Sequence, residues 1–247
     1  MRFTKMEGLG NDFVVIDGSI HVDPPLVRRL SDRRRGVGAD GVLQVEVADG
    51  AISMGYWNAD GTAAEMCGNG LRCVARYARD HGLASTDDFT VVTAMGERHV
   101  TVAGNEPMAE IGPVSVGAGF EFEGWTFQAI EVGNPHAVAF IQDPAVAPVR
   151  ELGAELERLT PGGINVEFVS VIDRHKVEMR VWERGVGETL ACGSGMVAAV
   201  AAGQHLGMTD NEVIVRVPGG EGLVRLEANT SWLSGPVRYV FTGQIEL

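Results

Sequence analysis

Apolar positions recur along the first half of the chain in short bursts. Phe13 to Asp17, Val42 to Val47, Ile52 to Trp57 and Thr90 to Ala94 are β-branched or alternating runs bounded by Gly, Asp and Asn, which is how strands read. Two stretches break that pattern and are predicted to be helices. Pro24 to Arg34 follows a capping residue, Asp23, and Gly68 to His81 carries Ala and Leu and stops at Gly82. In the second half, Met196 to Leu206 is apolar on nearly every face, the mark of a buried helix.

The pattern of the first half returns in the second. Gly10-Asn11-Asp12 before Phe-Val-Val is echoed by Gly133-Asn134-Pro135 before His-Ala-Val, and Gly38-Ala39-Asp40 by Gly163-Ile164-Asn165. Tyr56-Trp57-Asn58 lies as far upstream of Cys67 as Val181-Trp182-Glu183 lies upstream of Cys192. Cys67-Gly68-Asn69-Gly70 and Cys192-Gly193-Ser194-Gly195 each open an alanine-containing helix. Four matches in one order, at nearly constant offset, predict two homologous halves related by a pseudo-twofold axis. No linker separates them, so the repeat itself sets the boundary, near Ile111 to Val116. The expected division is 1–112 for a first half carrying Cys67 and 113–235 for a second carrying Cys192. The alternating run Val237 to Ile245 lies beyond the repeat, and 236–247 is assigned to the first half as a strand crossing back to complete its sheet.

Composition narrows the function. The chain has 247 residues, 45% of them hydrophobic, enough for a sizeable core. A formal net charge of -13 argues against affinity for nucleic acid or an anionic membrane, which both reward a positive surface. Arg28, Arg29, Arg33, Arg34 and Arg35 are therefore read as the solvated face of a helix. The N-terminal residues have no apolar stretch of signal-peptide length, and a cytoplasmic location is expected. Three cysteines are too few for a disulfide framework, so reduced thiols are expected. No spacing of His, Cys and acidic residues suggests a metal site.

Two of those thiols are placed for chemistry. A helix that begins inside a protein leaves its first N–H groups without partners and carries partial positive charge there, so an anion belongs at that end. Flanking glycines let a carboxylate approach the backbone. The same field makes a thiolate accessible at the helix start. A pseudo-twofold axis would then set one thiol on each face of a bound stereocentre, so that one removes an α-proton and the other returns a proton to the opposite face. Fixed N–H dipoles on the carboxylate would stabilise the carbanion without a cofactor. The plain alternative is that Cys67 and Cys192 are small buried hydrophobes, as most free cysteines are. The paired glycine frame favours the reactive reading, whereas Cys73, which lacks that frame and matches Ala198, is read as structural.

Gly8 to Phe13, Gly36 to Gly41, Asn58 to Gly61, Ala64 to Gly70, Gly133 to His136, Asn165 to Phe168, Glu183-Arg184 and Ala191 to Gly195 together resemble the blocks of the diaminopimelate epimerase family, in its order and over almost the whole chain. The resemblance implies an α/β (α+β) fold of two pseudo-symmetric halves, each a barrel-like, mostly antiparallel sheet around a central helix, with substrate between them. It implies cofactor-independent interconversion of LL- and meso-diaminopimelate, with Cys67 and Cys192 as the catalytic pair, a small amino acid as the partner molecule, and a homodimer. It further implies that Gly68, Asn69, Gly193 and Ser194 bind the reacting carboxylate through backbone amides. Asn11, Gln44, Asn58, Asn134, Asn165, Glu183 and Arg184 would hold the rest of the substrate, and His136 and Glu183 would tune the thiols. Ser194 stands where the family has a threonine, and Pro218 to Pro236 departs from its pattern.

Each of these residues has a plainer reading. The four asparagines sit beside Gly, Pro or Asp, where asparagine forms turns, and a histidine beside a proline turn is ordinarily packing or surface. Gly36-Val-Gly-Ala-Asp-Gly41 has dinucleotide-motif spacing, but an arginine-rich helix precedes it and a strand follows, the reverse of that motif's context. A cysteine hydrolase using His136 as base is the principal enzyme alternative and leaves one cysteine motif unexplained. A carboxylate-binding protein would need no thiols, and proline-type racemases share the two-thiol logic without resembling Thr189-Leu-Ala before Cys192.

Overall fold

The computed structural model describes residues 1–18 and 20–246. The chain divides into two compact units, 1–109 with 235–247 and 110–234.

The first unit contains β1 (Arg2–Gly8), β2 (Asn11–Asp17), α1 (Pro24–Ser31), β3 (Gly41–Ala48), β4 (Ala51–Asn58), α2 (Gly68–Asp80), β5 (Asp88–Thr93), β6 (Gly96–Thr101) and the start of β7 (Met108–Gly112), which pairs with β6 through Met108 and Ala109. The second contains β8 (Ser115–Phe122), β9 (Trp125–Glu131), β10 (Pro135–Phe140), α3 (Val149–Leu159), β11 (Asn165–Asp173), β12 (Lys176–Glu183), β13 (Gly187–Thr189), α4 (Gly193–His205), β14 (Glu212–Val217), β15 (Gly220–Leu226) and β16 (Ser231–Ser234). The last strand, β17 (Val237–Gln244), returns to the first unit and pairs antiparallel with β1.

Within each unit the strands pair mostly antiparallel, with two parallel pairs: β2 with β3 and β4 with β5 in the first unit, β10 with β11 and β12 with β14 in the second. Of these, β2 with β3 and β10 with β11 carry continuous buried runs covered on both faces, as parallel strands generally are, whereas β5 and β14 alternate buried and exposed residues. Side chains alternate across a strand, so Val14, Ile16 and Val42 pack with Val27 and Leu30 of α1 on one face. Phe13, Val15, Leu43 and Val45 pack with Leu71, Val74, Ala75 and Ala78 of α2 on the other. Burying one such Leu or Val contributes roughly 1.5–3 kcal/mol, which is why the continuous apolar runs are strands here. In the second unit Ala137, Ala139, Val166 and Phe168 pack with Val149, Leu152 and Leu156 of α3. The opposite face of β10 and β11 is turned to α4, and it carries His136 and Glu167.

The internal registers repeat. Met6 opposite Phe13 recurs as Ile130 opposite His136, Phe13 opposite Gly41 as His136 opposite Asn165, Ile52 opposite Val91 as Val177 opposite Val215, and Val100 opposite Ala109 as Val224 opposite Leu233. The strand β17 beside β1 holds the place that β8 holds beside β9. One correction to the sequence echo follows: by strand register Asn165 takes the place of Gly41, one residue beyond Asp40.

The helices differ from the predictions at their ends. Asp23 caps α1 by accepting from Leu26 N–H at 2.9 Å, but the helix stops at Ser31, three residues short of Arg34. Asp32 turns extended there, and its Oδ1 accepts from the N–H groups of Arg34 and Arg35 at 2.8 and 2.9 Å, a local turn that competes with the next helical bonds. Arg33 to Arg35 therefore lie beyond the helix they were expected to decorate. Both central helices begin directly after their cysteine, so α4 starts at Gly193, ahead of the predicted Met196. Among the described residues no helix is long and apolar enough to cross a membrane.

Candidate active site

Cys67 is the N-cap of α2, extended at φ -141° and ψ 118°, and its Sγ accepts from Gly70 N–H at 3.4 Å. Sulfur thus does the capping that an Asp or Ser oxygen ordinarily does. The Sγ–H points to Asn11 Oδ1 at 3.5 Å, and Asn69 Nδ2 reaches the same oxygen at 3.5 Å. Asn11 in turn donates to Asp40 Oδ2 at 2.9 Å, which joins a charged network of Lys5, Asp12, Arg33 and Asp40. Asp12 is 2.5 Å from the buried Lys5 ammonium and 2.7 Å from Arg33. Burial alone would raise the Asp12 carboxyl, but the bonds from Arg33, Lys5 and Asp40 outweigh it and hold the group well below the usual carboxylate range. Gly38, at φ +78°, presents its carbonyl to the Lys5 ammonium.

Cys192 repeats the cap. At φ -117° and ψ 116°, its Sγ accepts from Gly195 N–H at 3.4 Å and lies 3.5 Å from Ser194 Oγ. Behind it, His136 Nδ1 contacts Glu167 Oε1 at 2.7 Å and His136 Nε2 contacts Asn134 Oδ1 at 2.9 Å. Gly195 makes room for that carboxylate, since a Cβ there would sit 2.6 Å from Glu167 Oε1. Burial pushes the Cys192 thiol well above its ordinary value; the charges of Glu183 and Glu167 add to this, and the bonds from Ser194 and Gly195 oppose it. Asn165 ties two loops together, donating to Pro135 C=O at 3.0 Å and accepting from Arg184 N–H at 3.0 Å. Glu183 accepts from Thr189 Oγ1–H.

Of the residues singled out from sequence, Asn11, Cys67, Gly68 and Asn69 come together at one helix start. Asn134, His136, Glu183, Cys192, Gly193 and Ser194 come together around the other, with Asn165 and Arg184 bonded beside them. Gln44 and Asn58 make their side-chain bonds elsewhere. Gln44 Nε2 donates to the carbonyls of Gly18 and Ile20 and to Glu46, and Asn58 Nδ2 donates to Thr62 Oγ1 at 3.1 Å, closing the turn after β4. Two residues at the sites were not assigned from sequence. Glu167 stands as a lone charge within the apolar run Val166 to Val169, and Arg72 is wholly buried although its helix also carries Arg76 and Arg79. An open groove of about 650 Å³, lined by Arg2, Asp17, Tyr77 and His81 among others, lies at the far end of α2 from Cys67 and takes no part in this chemistry. Among the described residues no group of three or more His, Cys, Asp or Glu is arranged to hold a metal ion.

Each helix start, taken by itself, can therefore present N–H dipoles and a thiol to a carboxylate. The family model described as diaminopimelate epimerase matches residues 3–117 and 128–241. The chain is 43% identical to a diaminopimelate epimerase of Halorhodospira halophila, over 100% of this chain and 96% of that one. It is 38% identical to another from Nitrosospira multiformis, over 100% and 99%. Among solved structures, a phenazine biosynthesis protein of the PhzF family from Enterococcus faecalis shares the fold at a TM-score of 0.79 and 13% identity, covering 100% of this chain and 99% of that one. On the family match over nearly its whole length, the chain belongs to the diaminopimelate epimerase family.

Proposed function

We propose that this chain interconverts LL- and meso-2,6-diaminopimelate, a step of lysine and cell-wall precursor synthesis, with Cys67 and Cys192 as its acid-base thiols. The observation that carries the reading is the duplicated cap: two cysteines, each accepting from the N–H three residues on at 3.4 Å, at the starts of two matched helices in a chain of this family. One thiolate takes the α-proton, the other thiol delivers a proton to the opposite face, and the return reaction exchanges the roles. The backbone amides of Gly68, Asn69, Gly193 and Ser194 stabilise the charge that develops on the α-carboxylate, in the manner of an oxyanion hole and without a cofactor. Asn11, Gln44, Asn58, Asn134, Asn165, Glu183 and Arg184 hold the distal ammonium and carboxylate, and Arg184 offers a planar fork to the latter. His136 and Glu183 set the protonation of the second thiol.

Three cysteines in the thiol form accord with a reducing, cytoplasmic setting. A homodimer is carried with this reading, and sedimentation velocity tests it. Activity is tested by proton NMR of the reduced protein with LL-diaminopimelate in deuterated water. Deuterium enters the α-position as the meso isomer appears, and both Cys67→Ser and Cys192→Ser lose epimerisation by about 10²-fold or more. Absence of exchange by the wild type would reject diaminopimelate as substrate.

A further inference from the structure

Arg72 lies on the second turn of α2 and is the largest wholly buried side chain among the described residues. Its Nη2 donates to Asn69 Oδ1 at 3.0 Å, while Nε and Nη1 have no hydrogen-bond partner. A guanidinium withdrawn from water without an opposing charge is among the costliest groups a core can hold. The repeat supplies an internal comparison, because the matching position on α4 is Val197, also wholly buried. A helix of this kind inside a sheet of this kind needs no cation there.

Three ionisable groups interact electrostatically with the guanidinium: Cys73 of α2, its N-cap Cys67, and Glu7 of β1. Burial pushes the Cys73 thiol far up, so it stays neutral. Glu7 already accepts from Gly10 N–H at 2.9 Å and lies 3.7 Å from Arg238. Cys67 remains, and it is connected to Arg72 through side chains. Arg72 holds Asn69 by its Oδ1, and Asn69 Nδ2 meets Asn11 Oδ1, the same oxygen that Cys67 Sγ–H meets. Gly8 leaves space for the guanidinium; a Cβ there would stand 3.2 Å from Nη2.

We propose that Arg72 is a positioning residue for the first thiol, a buried guanidinium that supplies the standing positive charge opposite the Cys67 thiolate and, through Asn69, fixes the amide cluster around it. The two thiols are then inequivalent by construction. Cys67 rests beside a cation and Cys192 beside the carboxylates of Glu183 and Glu167, so Cys67 is the thiol that gives up its proton more readily, the first base of the pair, and Cys192 the first acid. The assignment rests on the acid-base role given to both cysteines above.

The test reads thiol ionisation without substrate, so it fails or succeeds independently of epimerisation. The rate of iodoacetamide alkylation at Cys67 is followed against pH in a Cys192→Ser background, with the label located by peptide mass spectrometry. With Arg72 present, Cys67 is expected to react faster at pH 7 than free cysteine. In Arg72→Met the pH midpoint moves up and the pH 7 rate falls about tenfold, one pH unit being a tenfold change in thiolate fraction. Arg72→Lys, which keeps the charge, stays within about threefold of the parent. An unchanged midpoint in Arg72→Met overturns the proposal. So does a parent protein whose Cys67 reacts no faster than free cysteine, and that comparison stands even if Arg72→Met does not fold.

Discussion

His136 Nδ1 and Glu167 Oε1 meet at 2.7 Å with both side chains wholly buried. The second carboxylate oxygen, Oε2, has no partner of its own. Histidine is therefore the group that compensates this carboxylate, and removing it leaves the acid stranded in the core. His136→Ala is expected to destabilise the protein by about 3–5 kcal/mol, the usual cost of breaking a buried pair. Replacing both residues, as in His136→Ala with Glu167→Leu, should recover part of that loss. Urea unfolding of the two singles and the double checks this; strictly additive losses would show that the pair is not coupled.

The carboxylate also acts on Cys192, whose thiol it helps to keep protonated. Glu167→Gln retains a hydrogen-bonding group of the same shape and removes the charge, so Cys192 should ionise more readily. In a Cys67→Ser background, iodoacetamide should label Cys192 severalfold faster at pH 8 in the Gln variant. A slower reaction would reverse the sign of the electrostatic argument.

Gly195 is required by volume. Gly195→Ala places a methyl 2.6 Å from Glu167 Oε1 and 3.2 Å from Cys192 Cβ, so either the carboxylate or the helix start must move. A loss of about 1–3 kcal/mol and of most activity is expected. Gly119→Ala is the matched control, since its added Cβ would meet nothing closer than 3.6 Å. Equal melting temperatures for the two variants would count against the crowding.

Cys73 should behave as an inert core residue. Wholly buried and pushed far up in pKa, it is expected to resist alkylation under native conditions. Cys73→Ala should keep wild-type turnover while losing about 1 kcal/mol of stability. Native labelling at Cys73 would contradict this.

The Asp12 cluster sets an acid limit on the first unit. A carboxyl whose folded pKa is depressed contributes stability that is present above its unfolded value, about 4, and that is lost as pH falls below it toward the depressed value. Asp12→Asn, which also leaves Lys5 without its carboxylate, should therefore destabilise the protein at pH 7, with the gap from wild type narrowing below about pH 4. Thermal unfolding across that range decides it, and a constant gap would exclude the linkage.

Much of this architecture is legible in the sequence because the signals are local. The apolar runs at Phe13 to Asp17 and Val42 to Val47 are strands, and the two Cys-Gly-x-Gly turns begin helices at their cysteines. What is not legible depends on partners distant in the chain. The helix expected from the Asp23 cap runs on to Arg34, but the Asp32 side chain captures the N–H groups of Arg34 and Arg35 and ends it early. Arg72 reads as a surface residue of a helix, and only the sheet folded around α2 makes it a buried cation. Glu167 becomes part of a site only when β11 pairs with β10 and α4 presents Gly195 to it. The likeness of Gly38-Ala39-Asp40 to Gly163-Ile164-Asn165 is one residue out of register, a slip that only backbone pairing reveals.

The pairing of β17 with β1 brings residues 237–244 back to residues 2–8. Until residues near 237 leave the ribosome, β1 has one open edge, and the Met6, Phe13 and Leu71 cluster lacks Val237, a member of the same core. The second unit, 110–234, is continuous and can close as soon as it is synthesised, although it comes later in the chain. Pulse proteolysis of a fragment ending at residue 234 should find 110–234 protected and the earlier segment still cleavable. In birth order, then, the half that begins first is the half that finishes last, and the core around α2, the helix that Cys67 caps, waits on a strand made after the whole second unit.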